Sequence, residues 1–63
     1  MKLSDLSNIL YSLKGWPQQA TVYDTSTNED IDGGVVDSMV ERYADREIVR
    51  IEAFDNILIL VIK

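Results

Sequence analysis

The stretch 47-EIVRIEAFDNILILVI-62 decides the fold, because its apolar residues repeat with a period of two. That period places successive side chains on opposite faces of a β-strand. At its centre, Asp55-Asn56 tolerates the left-handed backbone that a two-residue hairpin turn requires. The stretch therefore predicts a C-terminal β-hairpin with strands over residues 47–54 and 57–62. In the first strand we expect Val49, Ile51 and Ala53 on one face, and the other face to carry Ile48, Arg50, Glu52 and Phe54.

The second strand of this hairpin is apolar on both faces. Its odd-numbered residues are Ile or Val, and its even-numbered residues are Leu58, Leu60 and Ile62. A strand of this kind is normally covered on both sides, and a bare apolar face marks an interaction site. We expect a homodimer, sheet-mediated or face to face, with Leu58, Leu60 and Ile62 at the interface. The alternative is a curled sheet with one helix packed on each face.

Upstream of the hairpin, two segments have helical spacing and one has the composition of a strand. Leucine and isoleucine recur at helical spacing over residues 4–14, where Ser4 is a candidate N-cap. Residues 20–25 are β-branched or aromatic and predict a strand. Residues 26–34 are polar and predict a loop or a loosely closed hairpin. A second short helix is expected over residues 36–44.

The second helix has an alternative end. Arg42, Arg46 and Arg50 are spaced by four, which is also consistent with a helix that continues through Arg50. That helix would place Glu47 on its apolar stripe, so we favour the shorter helix followed by a strand.

The chain length limits the core. A protein of 63 residues buries only about 60% of the surface that its unfolded chain exposes. Small domains usually add disulfides, a metal or a partner subunit, and this sequence has no cysteine and no histidine. We expect one α+β domain over residues 1–63, with an N-terminal helix, one strand, a short second helix and a C-terminal β-hairpin in an antiparallel sheet. Self-association is the remaining route to extra stability.

The net charge of −5 lies in the middle of the chain. No basic residue occurs between Lys14 and Arg42, and outside that gap the acids and bases balance. The gap holds five acids, Asp24, Glu29, Asp30, Asp32 and Asp37. Phosphate contacts need a basic surface, so we do not expect direct binding of nucleic acid. A basic protein surface is the natural target.

The residue types exclude several chemistries. Serine–histidine and cysteine–histidine catalysis need residues that the chain lacks, so we do not expect an enzyme or a cofactor. Residues 28–35 resemble the first half of a calcium-binding EF-hand loop, but Met39 stands where the bidentate glutamate is needed. A solvated acidic turn is the favoured interpretation, and no metal is expected.

The acidic segment supports a binding hypothesis. Carboxylates could stand where phosphates would lie on a basic groove, with Glu41 at the edge of the five acids and with Trp16 and Tyr23 as candidate aromatic anchors. For Trp16, which precedes Pro17 after the end of the first helix, the favoured role is instead to cover the core. The partner would be a basic host protein such as a nucleic-acid-binding nuclease. The alternative is that the acids only solvate the surface, and that the protein is a structural or adaptor module assembled through its apolar sheet face.

The polar start and the absence of a long apolar run predict a protein without a signal peptide or membrane span, located in the cytoplasm.

The layout of the sequence resembles small proteins of bacteriophages and prophages in Gram-positive bacteria, a group that includes type II anti-CRISPR inhibitors. The resemblance lies in the opening 1-MKLSDL-6, the strand 22-VYD-24, the acidic turn, the stretch 43-YADREIVRI-51 and the closing Asp55-Asn56 hairpin. Those inhibitors are similarly short, acidic and free of cysteine, and they are often dimeric. The resemblance implies a non-catalytic inhibitor acting in the cytoplasm of the host cell, and it assigns no individual contact residue.

Overall fold

The computed structural model describes residues 1–7 and 18–63. Of the helix expected over residues 4–14, the described part is a 3-10 helix at Leu3–Leu6, preceded by Lys2 rather than capped by Ser4. The Lys2 backbone N–H donates to the Asp5 carboxylate at 2.9 Å. The rest of that expected helix, and Trp16, lie outside the described residues.

Four strands form one mixed sheet. The strands are β1 (Gln19–Asp24), β2 (Glu29–Val35), β3 (Ile48–Phe54) and β4 (Ile57–Ile62). Their order across the sheet is β2-β1-β4-β3, so β2 and β3 form the two edges. The central strands β1 and β4 are parallel, whereas the outer pairs are antiparallel. The α+β class is confirmed. The expectation of a purely antiparallel sheet was wrong, because the β1–β2 and β3–β4 hairpins meet through β1 and β4, which run in the same direction.

The polar residues after β1 form a hairpin rather than an open loop. Residues 25–28 make the turn, where Asn28 takes a positive φ of 57° and donates its backbone N–H to the Asp24 carbonyl at 2.8 Å. Strand β2 then pairs with all of β1, with an irregularity opposite Val22 and Tyr23. The pairing turns the acidic stretch into an edge strand.

The helix that follows β2 is α1 (Val36–Arg42). It begins where we expected and ends two residues earlier. The alternative helix through Arg50 was wrong, since Tyr43 caps the end of α1 and β3 begins at Ile48. Polar turn residues separate the two elements.

The C-terminal hairpin is confirmed. Asp55 and Asn56 have φ values of 56° and 67°, as a two-residue turn with right-handed strand twist requires. One detail differs from the expected alternation, because Val49 is an extra residue opposite β4. Ile48 therefore pairs with Ile62 while Arg50 pairs with Val61, which puts Ile48 and Arg50 on opposite faces.

The core lies between one face of the sheet, here called the helix face, and a layer made by α1 and the 3-10 helix. Residues from both layers are almost fully buried, namely Leu3, Ala20, Val22, Val36, Met39, Val40, Leu60 and Ile62. The N-terminus is held by backbone bonds from the Leu3 N–H to the Arg46 carbonyl at 2.9 Å and from the Ile48 N–H to the Met1 carbonyl at 2.9 Å. Among the described residues, no helix is long and apolar enough to cross a membrane.

Candidate protein-binding surfaces

In the structure, the five acids of the central segment fall into two groups, those paired with an arginine and those without a described ion pair. The sequence alone does not distinguish these groups. Asp24 and Asp32 are engaged by cations of the same chain. Glu29 and Asp30 are exposed at the start of edge strand β2, and Asp37 is half-buried in the first turn of α1. Within residues 1–7 and 18–63, these three carboxylates form no ion pair. We call Glu29, Asp30 and Asp37 the acidic edge.

Asp24 has a structural role. It is 7% exposed, it accepts a bond from Arg46 Nη2 at 2.9 Å, and it accepts another from the Ser26 backbone N–H at 2.8 Å. The bond from Arg46 is the main cause that lowers the pKa of Asp24. Arg46 Nε also donates to the Lys63 carbonyl at 2.7 Å. Asp24 therefore links the end of β1 to the end of the chain.

Asp32 connects β2 to the end of α1. Its Oδ2 accepts bonds from Arg42 Nη1 at 2.5 Å and from the Tyr43 hydroxyl at 2.8 Å. The bond from Arg42 is the main cause that lowers the pKa of Asp32. The hydrogen bond to Asp32 raises the pKa of Tyr43, because the phenol donates to a carboxylate. The negative charge of Asp32 is thus neutralised within the chain.

The other predicted contact residues within the described part of the chain, Glu41 and Tyr23, lie in different environments. Glu41 is exposed on α1 and takes part in an interaction within the chain. Tyr23 is half-buried, and its hydroxyl lies 3.5 Å from the Asn28 side-chain oxygen. Of the six predicted acids, the structure therefore places Glu29 and Asp30 exposed at the start of edge strand β2, whereas Asp24 and Asp32 are paired within the chain.

The half-motif of a calcium site does not converge on one point. Asp32 pairs with Val22 and Asp30 pairs with Tyr23 in the register, so the two carboxylates lie on opposite faces of β2. The described residues contain no group of three acids that could hold a metal ion.

The three residues predicted at a dimer interface lie on the helix face. Leu60 and Ile62 have no exposed surface, and Leu58 packs against the same core. These side chains are already buried within a single chain, because they pack in the core with residues of α1 and the 3-10 helix. Any surface for self-association among the described residues therefore lies elsewhere.

A second surface, which we did not predict from the sequence, is edge strand β3. Six of its seven residues are exposed, including Val49 at 44%, Ile51 at 39% and Phe54 at 72%. Within the described residues, α1 packs mainly against β1 and β2, and Ile48 is the residue of β3 that packs against the core. The sequence did contain a hint of this surface. The predicted hairpin pairs β3 with β4 on one side, and a strand that pairs on one side only is an edge strand.

Comparisons with known proteins leave the family open. No family model matches the chain, and searches of curated proteins and of solved structures gave no match. A function must therefore be argued from the two surfaces themselves.

Proposed function

We propose that the chain is a non-catalytic inhibitor, like the phage inhibitors that the sequence resembles, and that it binds a basic nucleic-acid-binding protein through its acidic edge. One observation carries this proposal. Glu29 and Asp30 are exposed on an edge strand without a described cation, although Asp24 and Asp32 nearby each have one. Since the fold neutralises the acids it needs, the remaining charge is available to a partner.

The shape of this edge suits a groove that normally holds a nucleic-acid strand. An antiparallel strand rises about 3.4 Å per residue, so β2 runs roughly 20 Å from Glu29 to the start of α1. Glu29 and Asp30 place negative charge at one end of it, and Asp37 lies just beyond the other end. Electrostatic complementarity of this kind raises association rates and selects basic partners. The edge is also bare, because Gly33 is exposed in the middle of β2.

Gly33 is not required by packing within the described chain. A Cβ at this position would come no closer than 3.7 Å to the Ala20 carbonyl oxygen, which is an ordinary contact. A side chain there would project from the face of the sheet that carries Thr21, its partner on β1, and would hold another protein away from that face. The absence of one supports close approach by another protein.

The test uses two double variants of equal charge. Glu29→Gln with Asp30→Asn changes the acidic edge, and Asp45→Asn with Asp55→Asn changes exposed acids elsewhere; each pair moves the net charge from −5 to −5 + 2 = −3. Both should leave stability within about 0.5 kcal/mol of the parent, as exposed substitutions usually do. The parent is used to capture a basic protein from host lysate, and each variant then competes with nucleic acid for that protein.

We expect the parent and the control variant to displace nucleic acid, and the edge variant to fail. Binding should also weaken steeply between about 50 and 200 mM salt, as phosphate-like contacts do. An edge variant that competes as well as the control would contradict the proposal.

The second candidate function is a structural or adaptor module that assembles through the sheet. The exposed apolar residues of β3 favour it, because a long hydrophobic edge strand is a template for pairing. The two functions are compatible, since β2 and β3 lie at opposite sides of the sheet.

A further inference from the structure

Among the described residues, the open edge of β3 is unpaired from Val49 to Phe54, whereas the Ile48 N–H already donates to the Met1 carbonyl. The backbone groups of this open part follow a fixed pattern. The turn at Asp55-Asn56 makes Phe54 and Ile57 the first pair of the hairpin. In a two-residue hairpin this pair exchanges hydrogen bonds, and the pairs alternate from there between bonded and non-bonded. Phe54 and Glu52 thus use their N–H and C=O groups toward β4, whereas Ala53 and Ile51 direct theirs to the open side.

We propose that two copies of the chain pair through this edge, β3 against β3, antiparallel and centred on Ile51. The occupant of the edge is therefore a second copy of the same chain. The arrangement forms one continuous eight-stranded sheet with a two-fold axis perpendicular to it.

The hydrogen bonding fits this register. Ile51 directs its N–H and C=O outward, so it exchanges two bonds with Ile51 of the second copy. Ala53 then stands opposite Val49 of the second copy, and Val49 is the residue left without a partner on β4. The pairing covers Val49 and Ile51, which are 44% and 39% exposed in the single chain.

The charges select the same register. Arg50 and Glu52 lie on the face opposite the helix layer, because they pair with Val61 and Ile59. Centring on Ile51 places Arg50 of each copy directly across from Glu52 of the other. Centring on Arg50 would oppose two arginines, and centring on Glu52 would oppose two glutamates. Opposite charges across a sheet stabilise and like charges destabilise, so one register is favoured.

The other edge strand is unsuited to self-pairing. Two copies of β2 would bring Glu29, Asp30 and Asp32 of each chain close to those of the other, and charged edges oppose such contacts. Pairing β2 with β3 would not close and would continue into a filament. The charge-balanced edge is β3, where Arg50 already forms an ion pair with Glu52 of its own chain.

The test exchanges the two charges. Arg50→Glu alone and Glu52→Arg alone should each weaken the dimer about tenfold or more, because two attractive pairs become repulsive. Mixed in equal amounts, these two variants should form a heterodimer, since every Glu then faces an Arg. Sedimentation equilibrium at micromolar concentration should give twice the 7.2 kDa chain mass for the parent and for the mixture. Both side chains are largely exposed, at 60% and 46%, so the fold should persist.

A second pair of variants tests the edge independently of these charges. Ile51→Lys on β3 and Ile31→Lys on β2 change residues of nearly equal exposure, 39% and 38%. We expect the first to be monomeric and the second to remain dimeric. A monomeric parent, or an Ile51→Lys variant and single-charge variants that dimerise like the parent, would overturn the proposal. The measurement needs no binding partner, so its failure is distinct from failure of the inhibitor function.

Discussion

Two aspartates, Asp24 and Asp32, connect distant parts of the chain through the same chemistry. Each accepts a charge-assisted bond from an arginine, and each accepts a backbone N–H from a nearby residue. Bonds of this type are stronger than those between neutral groups. The arginines belong to α1 and to the turn after it, so the two contacts attach the helix layer and the chain end to the β1–β2 hairpin.

These contacts predict a loss of stability in acid. The folded pKa values of Asp24 and Asp32 are lowered, so each contributes stability above its unfolded pKa of about 3.9. That stability disappears as the pH falls through the lower folded value. Urea unfolding between neutral pH and the acid limit should therefore show falling stability, and Asp32→Asn should reduce the slope.

Asp30→Asn provides the control for this effect, because Asp30 is exposed and forms no ion pair within the described part of the chain. It should retain the acid sensitivity of the parent. Equal flattening by both substitutions would show that general charge repulsion, rather than the bonds from Arg42 and Arg46, sets the pH response.

The sequence could identify the acids but could not separate their roles. Asp30 and Asp32 are two residues apart, and both lie in the same polar stretch of the sequence. Only the register of β2 on β1 shows that Asp32 lies beneath Arg42 and Tyr43 while Asp30 lies on the other face. Such long-range pairing has no local signal, so a surface of six acids was expected where three are available.

At the scale of elements, the β3–β4 hairpin was predictable because its signals are local. The period of two before Asp55-Asn56 and the short apolar run after it indicate the two strands, and Asp55-Asn56 indicates the turn. Strand β2 carried no such signal, since Glu, Asp and Gly are poor strand formers, and its pairing with β1 provides the structure. The parallel contact between β1 and β4 joins segments far apart in the chain, and no nearby residue specifies it.

The turn of this hairpin gives a prediction about stability. Asn56 has a φ of 67°, a region that costs an ordinary side chain about 1–2 kcal/mol and glycine almost nothing. Asn56→Ala should lower the free energy of unfolding by about 1 kcal/mol. Asn56→Gly should preserve or raise it, which chemical denaturation would measure. Equal destabilisation by both substitutions would instead indicate that the Asn56 side chain is needed.

At the scale of the whole molecule, edge pairing through β3 and binding through β2 have a joint consequence. The dimer would have the strand order β2-β1-β4-β3-β3-β4-β1-β2, with one acidic edge at each end. Seven spacings of about 4.8 Å separate the outer strands by roughly 34 Å. This dimer would therefore be a bivalent ligand with two negative edges facing outward.

Bivalence predicts that the dimer gains affinity on a dense basic surface and not on a sparse one. The variant for this test is Ile51→Pro, which keeps the net charge and removes an N–H that points away from β4. On a surface coated densely with poly-lysine, the parent should bind more tightly than this variant by about 10²–10⁴-fold, because its second edge binds at high effective concentration. On a sparse coating, where one dimer cannot reach two chains, the two proteins should bind alike per chain. Surface plasmon resonance measures both cases, and circular dichroism checks that the variant remains folded. A parent that shows no gain on the dense surface would mean that the two acidic edges do not act together, even if each binds a basic partner and the chain is a dimer.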